Sequence, residues 1–346
     1  MGHTDRILHD IRTEIAPSDQ TLDAARFRRE EVLAAARGFD GALWTYASGS
    51  IAHRTANDDT DADCGVVLDR RSYPELGPDG DGVGPDAVME GVRDLVRDKL
   101  KDAHPELKTR LTRAIEVKFH EPVGSGDDPP DPSVDLIVAL TRKDKEGLWI
   151  PNRDSGGWNA SHPECHTKLL TNPPEDIRRV RARAIRLVKA WNKQPTSPGL
   201  SSFNIEALAL EAITQAVAIG EAVALWFEHS AREIRKGNTK DPADVSPPIK
   251  LLLNRDVVVG RLETAAKHMR TALDNDDDEE AVTEELALVF PKFVQMPAGD
   301  SSKAALAAAL RDGNRNFNRA GRYIATGAVA ATPLKTVRSF GDGEVR

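Results

Sequence analysis

The chain of 346 residues is long enough for two packed domains, and its composition, 40% hydrophobic and 29% charged, is that of an ordinary globular protein. The formal net charge of −8 argues against broad binding of duplex nucleic acid, because such binding needs an extensive cationic surface. The longest apolar region, residues 200–227, is interrupted by three glutamates and cannot span a bilayer. The chain opens without an apolar secretion signal, and Cys64 and Cys165 give no disulfide framework, so we expect a cytoplasmic protein without membrane contact.

Helical and strand-like patterns alternate through the first half of the chain. The expected elements, in chain order, are a helix at 4–15, a helix at 19–38, strands at 42–47 and 63–68, a helix at 86–101, and strands at 113–120 and 133–140. This order predicts a mixed sheet with helices packed on it.

The second half, from residue 177, has almost only helical periodicity, broken at residues 195–199 and 242–248. An acidic run at 274–280 indicates an exposed loop or a helix start, and the tail from Thr332 lacks periodicity. We therefore predict an α+β protein in which a mixed-sheet lobe at residues 1–172, with its N-terminal helices, precedes a helical lobe at residues 173–346.

Two aspartates stand one residue apart in the segment GSIAHRTANDDTDADCGVVLD, residues 49–69. Strand alternation places Asp61 and Asp63 on one face, about 6–7 Å apart along the chain. The opposite face is apolar and carries Ala62, Cys64, Val66 and Leu68. A solvated acidic turn would explain the aspartates without function, whereas a cage for a divalent metal would use both of them.

A third aspartate, Asp135, lies inside the apolar run SVDLIVAL, where its burial is costly unless it is paired or binds a metal. Hard oxygen ligands without soft donors favour Mg²⁺ or Mn²⁺. Two such ions about 3.5–4 Å apart stabilise the attacking and leaving oxygens of a phosphoryl displacement. The dipeptide Gly49-Ser50, at the end of the preceding strand, permits a tight turn whose amides and hydroxyl can bind a phosphate.

Gly49-Ser50, then Asp61 and Asp63 on a strand, then Asp135 on a later strand, together resemble the DNA polymerase β-like nucleotidyltransferase superfamily. The resemblance implies a mixed-sheet palm in which Asp61 and Asp63 bind two metal ions. It also implies that Asp135 completes the metal site and helps to deprotonate the attacking hydroxyl.

A second stretch narrows the resemblance to the cGAS/DncV-like nucleotidyltransferases, which include oligoadenylate synthetases and bacterial antiphage cyclic-oligonucleotide synthases. In that group a helix with a Lys-x-Trp-Asn-like stretch precedes a Ser-aromatic-x-x-Glu stretch. The matching residues are Lys189, Trp191, Asn192, Ser202, Phe203 and Glu206, with phenylalanine in place of the more usual tyrosine. The resemblance covers about residues 42–212 and implies that Lys189 and Ser202 hold the triphosphate of the donor nucleotide.

The helix that contains Lys189 also has a basic pattern of its own. Cationic residues follow one another at spacings of three or four, at Arg179, Arg183, Arg186, Lys189 and Lys193. This pattern predicts a basic ridge, either a solvated face or a surface that steers a nucleotide triphosphate. Trp191 is expected in the core rather than as a platform for base stacking.

Two histidine-containing segments could also carry function. His162, Cys165 and His166 could contribute three zinc ligands, but a closed four-ligand site would need a distant partner. His53, close to the Gly-Ser turn, could contact phosphate, although we expect it to be exposed.

The primary hypothesis is a metal-dependent nucleotidyltransferase that makes a cyclic or linear oligonucleotide messenger from ribonucleoside triphosphates. The resemblance implies an antiphage (CBASS) setting with a downstream effector that reads the product, and an activating partner is conceivable. Two alternatives stay open: nucleotidyl transfer onto tRNA or another macromolecule, and a catalytically silent nucleotide-sensing module.

Overall fold

The computed structural model describes residues 1–59, 61–108, 112–125 and 127–297. The chain divides into two compact units. The sheet unit consists of Ala16–Thr171 and Ala243–Pro247, and the helical unit consists of Met1–Ile15, Asn172–Pro242 and the described chain from Pro248 onward. The aperiodic tail from Thr332 lies outside the described residues.

The secondary structure comprises ten α-helices and seven β-strands in the described residues. In chain order these are α1 (His3–Glu14), α2 (Asp19–Ala36), β1 (Ala42–Ser48), α3 (Gly49–His53), β2 (Ala62–Leu68), α4 (Asp86–Lys99), β3 (Glu106–Lys108), β4 (Ile115–Lys118), β5 (Val134–Thr141), β6 (Leu148–Asn152), β7 (Gly157–Ser161), α5 (Pro163–Thr171), α6 (Glu175–Lys193), α7 (Ser202–Ala212), α8 (Ile219–Lys236), α9 (Arg255–Asp274) and α10 (Glu279–Val289).

The seven strands form one mixed sheet, which confirms the predicted α+β architecture. Its main order is β1-β2-β5-β4-β3, with β6 paired to β5 and β7 paired to β6. Strands β2 and β5 run parallel and every other pair runs antiparallel. Because β2 and β5 are central strands, their residues are buried on both faces almost throughout.

One face of this sheet forms the core of the sheet unit. The even-numbered side chains of β2 and β5 pack there with apolar residues of α2 and α4, as period-two alternation predicts. The members from the two strands are Ala62, Cys64, Val66, Leu68, Val134, Leu136, Val138 and Leu140. The odd-numbered side chains therefore point to the opposite face, which carries the aspartates.

Several short elements were not predicted from the sequence. Strand β3 has three residues and α3 has five, which is too short for either to show a periodicity. Strands β6 and β7 contain proline, glycine and asparagine, which are rare in strands, so their segments resemble loops in the sequence. Strands β6 and β7 nevertheless pair with each other along their whole length.

Helix α1 belongs to the helical unit, whereas residues 1–172 were predicted to form one lobe. It packs against α6, α8 and α10. The carboxylate of Asp276 accepts a hydrogen bond from the Thr4 amide at 2.7 Å, and that of Asp5 accepts one from the Gly220 amide at 2.8 Å. The apolar pattern of α1 predicts a buried face but does not identify the elements that the face packs against.

The helical unit is built around α8 and its neighbours α6, α7 and α9. Trp226 and Phe227 are fully buried on α8, and Trp191 of α6 meets Phe227 edge-on with ring centroids 4.9 Å apart. The acidic run at 274–280 contains a turn and the start of α10, where Asp278 is the N-cap. None of the described helices combines the length and the apolar composition that crossing a membrane requires.

Candidate active site

The turn between β1 and α3 places Gly49 against an acidic side chain. Gly49 has a φ of +70°, a conformation that side chains other than glycine rarely adopt. A Cβ atom at this position would lie 1.8 Å from Oδ2 of Asp63. Glycine is therefore required here for two reasons: it adopts the backbone conformation of the turn, and it has no side chain to clash with the Asp63 carboxylate.

A row of three carboxylates crosses the neighbouring strands. In the register of the sheet, Asp63 of β2 is directly opposite Asp135 of β5, and Asp135 is opposite Glu116 of β4. Directly paired residues point to the same face, and neighbouring strands are about 4.8 Å apart. Asp63 is only 2% exposed and Asp135 only 7%. The register therefore brings two of the three predicted aspartates together in buried surroundings.

Asp61 lies just before β2 and is tied to the strand that carries Asp135. The hydroxyl of Ser133 donates a hydrogen bond of 2.8 Å to Oδ1 of Asp61. The next residue, Ala62, donates its amide to the carbonyl oxygen of Ser133 at 2.9 Å. These contacts hold Asp61 next to the first residues of β5.

The electrostatic effect of this row is visible at the neighbouring side chains. Burial raises the pKa of the Cys64 thiol well above its usual range, and the charge of Asp63 raises it further, followed by a smaller contribution from Asp135. For the Tyr46 phenol, burial is again the largest cause of a raised pKa, with Asp63 among the contributing charges. The carboxylate of Asp63 thus acts on side chains on both faces of the sheet.

The donor chemistry of the row fits Mg²⁺ or Mn²⁺. All the available donors are hard carboxylate oxygens, which these ions prefer. Among the described residues, no three His, Cys, Asp or Glu side chains form a complete ligand group. Mg²⁺ sites commonly use one or two carboxylates and complete their coordination with water and substrate phosphates. Ligation by Asp61, Asp63 and Asp135 stays a prediction.

Lys189 does not lie on an exposed basic ridge, contrary to the prediction from the sequence. Its side chain is buried on α6, and its ammonium group is 2.7 Å from Oε1 of Glu206 on α7. Lys189 is buried because helical rotation places it beside buried residues such as Ile185 and Asn192, whereas Arg179 and Arg183 are exposed. The Ser-aromatic-x-x-Glu stretch thus supplies the anion that neutralises the lysine.

The loop before α7 is held by Asn192. Its Oδ1 accepts hydrogen bonds of 3.2 Å from the amides of Gly199 and Leu200, and its Nδ2 donates one of 2.7 Å to the Leu200 carbonyl. Ser201 then caps α7 through a capping box with Asn204. As a result, the predicted phosphate-binding residue Ser202 is the first residue of a firmly capped helix.

The expectation for His53 was wrong, because the residue is 6% exposed. Helix α3 packs on α5, and Nε2 of His53 is 3.1 Å from the hydroxyl of Thr167. His162, Cys165 and His166 lie at the start of α5, where Nδ1 of His162 accepts a hydrogen bond from the Cys165 amide. In the described part of the chain these residues form no three-ligand group for zinc.

Three residues of this region were not predicted from the sequence. Glu116 belongs to the row described above, and Tyr46 and Ser48 of β1 are opposite Gly65 and Asp63. Alternation within the run 113–120 separates Glu116 from the apolar face, so a signal for it was present. No comparable signal marks the residues of β1, because their importance depends on the strand register.

Taken together, these contacts place the Gly-Ser turn and the paired aspartates side by side on one mixed sheet. No protein-family model matches the sequence, and no curated protein matches it by sequence.

Solved structures of CD-NTases, the cGAS/DncV-like group, share this fold. CdnC, in the CdnC:HORMA-deltaN complex of E. coli MS115-1, superposes with a TM-score of 0.62 at 17% identity, covering 85% of this chain and 98% of CdnC. The CD-NTase CdnG of Bradyrhizobium diazoefficiens, solved with GTP, gives 0.57 at 16% identity, covering 82% and 98%. The DncV cyclic AMP-GMP synthase of Vibrio cholerae gives 0.52 at 14% identity, covering 84% and 87%. This chain therefore has the CD-NTase fold, as the resemblance predicted.

Proposed function

We propose that the protein is a metal-dependent nucleotidyltransferase that joins ribonucleoside triphosphates into a cyclic or linear oligonucleotide. The observation that carries the proposal is the direct pairing of Asp63 with Asp135, beside the Gly49 turn, in a CD-NTase fold. A silent module would have no need to place two carboxylates directly opposite each other, because their like charges repel.

Asp61, Asp63 and Asp135 would hold two Mg²⁺ or Mn²⁺ ions. When bound, such ions neutralise the charge that develops on the attacking and leaving oxygens. Asp135, which lies directly opposite Asp63 in the strand register, would accept the proton of the attacking hydroxyl. The hydroxyl attacks the α-phosphate of a second nucleotide, and pyrophosphate leaves.

The remaining assignments concern the triphosphate. Gly49 and Ser50 open α3, so their amides and the serine hydroxyl are suited to bind phosphate oxygens. Lys189 and Ser202 are assigned to the triphosphate of the donor nucleotide by the resemblance alone. The buried ion pair with Glu206 would hold the Lys189 side chain in one conformation.

The biological setting is proposed from the relatives. DncV is a cyclic AMP-GMP synthase, and CdnC forms a complex with a HORMA protein. For this protein we propose a cytoplasmic, antiphage role in which a separate effector reads the product. An activating protein partner fits the same scheme.

Pyrophosphate release tests the proposed chemistry. The full chain is incubated with the four ribonucleoside triphosphates and Mg²⁺ or Mn²⁺, with and without tRNA. Asp63→Asn and Asp135→Asn should each lower the rate about a thousandfold, because several kcal/mol of charge stabilisation is lost. Asp69→Asn is the matched control, because Asp69 follows the same strand but is bonded to Arg71 at the surface. Release that depends on tRNA, or that survives both active-site substitutions, would refute the proposal.

A further inference from the structure

Three buried side-chain hydroxyls have no hydrogen-bond partner among the described residues, those of Tyr46, Ser48 and Ser230. Buried hydroxyls are normally bonded, because an unsatisfied one costs stability. Two of the three lie on β1, two residues apart, immediately before Gly49. Their position on one strand, at the edge of the carboxylate row, calls for a common explanation.

Both hydroxyl-bearing side chains point to the face that carries the aspartates. Strand β1 pairs with β2 so that Ser48 is opposite Asp63 and Tyr46 is opposite Gly65. A Cβ atom on Gly65 would lie 2.3 Å from Cζ of Tyr46 and 2.4 Å from its hydroxyl oxygen. The phenol therefore lies directly over Gly65, the next residue after Asp63 on that face.

The hydroxyl of Ser48 is not used in the local backbone. Ser48 occupies the N-cap position of α3, where a serine side chain normally accepts a hydrogen bond from the helix. Here the side chain makes no such bond, and Ser48 is only 1% exposed. Helix capping therefore does not explain why a hydroxyl is buried beside Asp63.

The surroundings of Tyr46 indicate which kind of ligand fits. The carboxylate of Glu164 is held nearby by the indole of Trp44, at 3.1 Å from Nε1. Burial, together with the negative charges of Glu164 and Asp63, raises the pKa of Tyr46, so the phenol remains protonated. This negative environment disfavours an anion as a direct partner and favours hydrogen-bond donors such as the water molecules around a cation.

We propose that the hydroxyls of Tyr46 and Ser48 bind the water molecules that surround a divalent cation held by Asp63 and Asp135. The inference rests on the metal dependence in the proposed function and adds two positioning residues to the site. Mg²⁺ and Mn²⁺ keep several water ligands in such sites, and groups that hold these ligands affect metal affinity. Gly65 is part of the arrangement, because any side chain there would displace the phenol.

Mn²⁺ binding by the full chain tests this inference without measuring catalysis. The free Mn²⁺ signal is followed by electron paramagnetic resonance during a titration of wild type, Tyr46→Phe, Ser48→Ala and Asp63→Asn. We expect about a tenfold loss of affinity in Tyr46→Phe and Ser48→Ala, and a larger loss in Asp63→Asn. Ser230→Ala is the matched control, because it removes the third unpartnered hydroxyl, which lies on α8.

Thermal unfolding in EDTA separates this role from a structural one. Tyr46→Phe and Ser48→Ala should unfold at the wild-type temperature or above it, because each removes a polar group without a partner. Asp63-dependent Mn²⁺ binding that is unchanged in both variants would overturn the inference and leave the proposed function standing. Mn²⁺ binding that is absent, or that does not depend on Asp63, would overturn both. Destabilisation of both variants in EDTA would assign the hydroxyls to the fold and overturn the inference.

Discussion

At the scale of single residues, Gly49 couples the turn after β1 to the carboxylate of Asp63. Its positive φ alone would cost an alanine about 1–2 kcal/mol. The clash of a Cβ atom with Asp63 adds a second effect, because the carboxylate has to move. The cost of the positive φ can be separated from the clash with Asp63, because another glycine has a positive φ but no neighbour that an added Cβ atom would meet.

Gly49→Ala is therefore expected to lower activity far more than stability. A carboxylate displaced by about 1 Å should reduce turnover roughly a hundredfold. Gly82→Ala is the matched control, because Gly82 has a φ of +78° and a Cβ atom added there would meet nothing within 4 Å. Urea unfolding should show a loss of about 1–2 kcal/mol in Gly82→Ala and a larger loss in Gly49→Ala, because only the latter displaces a buried side chain. Equal activity of the two variants would mean that Asp63 tolerates displacement.

Candidate site residues could be predicted from the sequence where a charged side chain interrupts an apolar strand pattern. An aspartate inside an apolar strand drew attention to Asp135, and alternation placed Asp61 and Asp63 on one face. The same pattern marks Glu116 in the sequence, but only the β4–β5 register shows that Glu116 lies opposite Asp135. The burial of Lys189 could not be predicted, because it depends on how α6 packs against its neighbours.

At the scale of elements, long periodic segments were predictable and short ones were not. Strands β2 and β5 and the helices α2 and α4 appear close to their predicted positions, because burial imposes a regular apolar pattern. The parallel pairing of β2 with β5, which brings the aspartates together, could not be derived from periodicity. It depends on tertiary contacts with the helices that cover the sheet.

The loop between α6 and α7 gives a prediction at this scale. Asn192→Ala removes three buried hydrogen bonds that hold residues 199–200, so the free energy of unfolding should fall by about 3 kcal/mol. Asn275→Ala is the control, because its side chain makes an exposed hydrogen bond to the Thr271 carbonyl. Urea denaturation of both variants measures the difference. A loss below about 1 kcal/mol in Asn192→Ala would show that the loop does not depend on this clamp.

At the scale of the whole molecule, the chain consists of two units whose composition could be predicted only in outline. One segment of the sheet unit ends at Thr171, and the next segment of the helical unit begins at Asn172. Helix α1 belongs to the helical unit, although it precedes the sheet unit in the chain. Residues Ala243–Pro247 belong to the sheet unit, although they lie between two segments of the helical unit. The composition along the chain does not indicate that these two segments belong to units distant from them in sequence.

Net charge supports a prediction about macromolecular substrates. With a formal charge of −8, the protein should not retard duplex RNA or tRNA in a gel at micromolar protein concentration and physiological salt. Labelled ribonucleoside triphosphates should likewise transfer no label to tRNA. Retardation that weakens steeply with salt would indicate a cationic surface and would favour the alternative of transfer onto RNA.

The central claim, that the paired aspartates catalyse the joining of nucleotides, is tested most directly by identifying the product. Wild type and Asp63→Asn are incubated with the four ribonucleoside triphosphates and Mg²⁺ or Mn²⁺, and the products are analysed by mass spectrometry. We predict an oligonucleotide made by wild type and absent from Asp63→Asn, with both proteins folded by circular dichroism. An Asp63→Asn protein that makes the same product at a near-normal rate would contradict the claim.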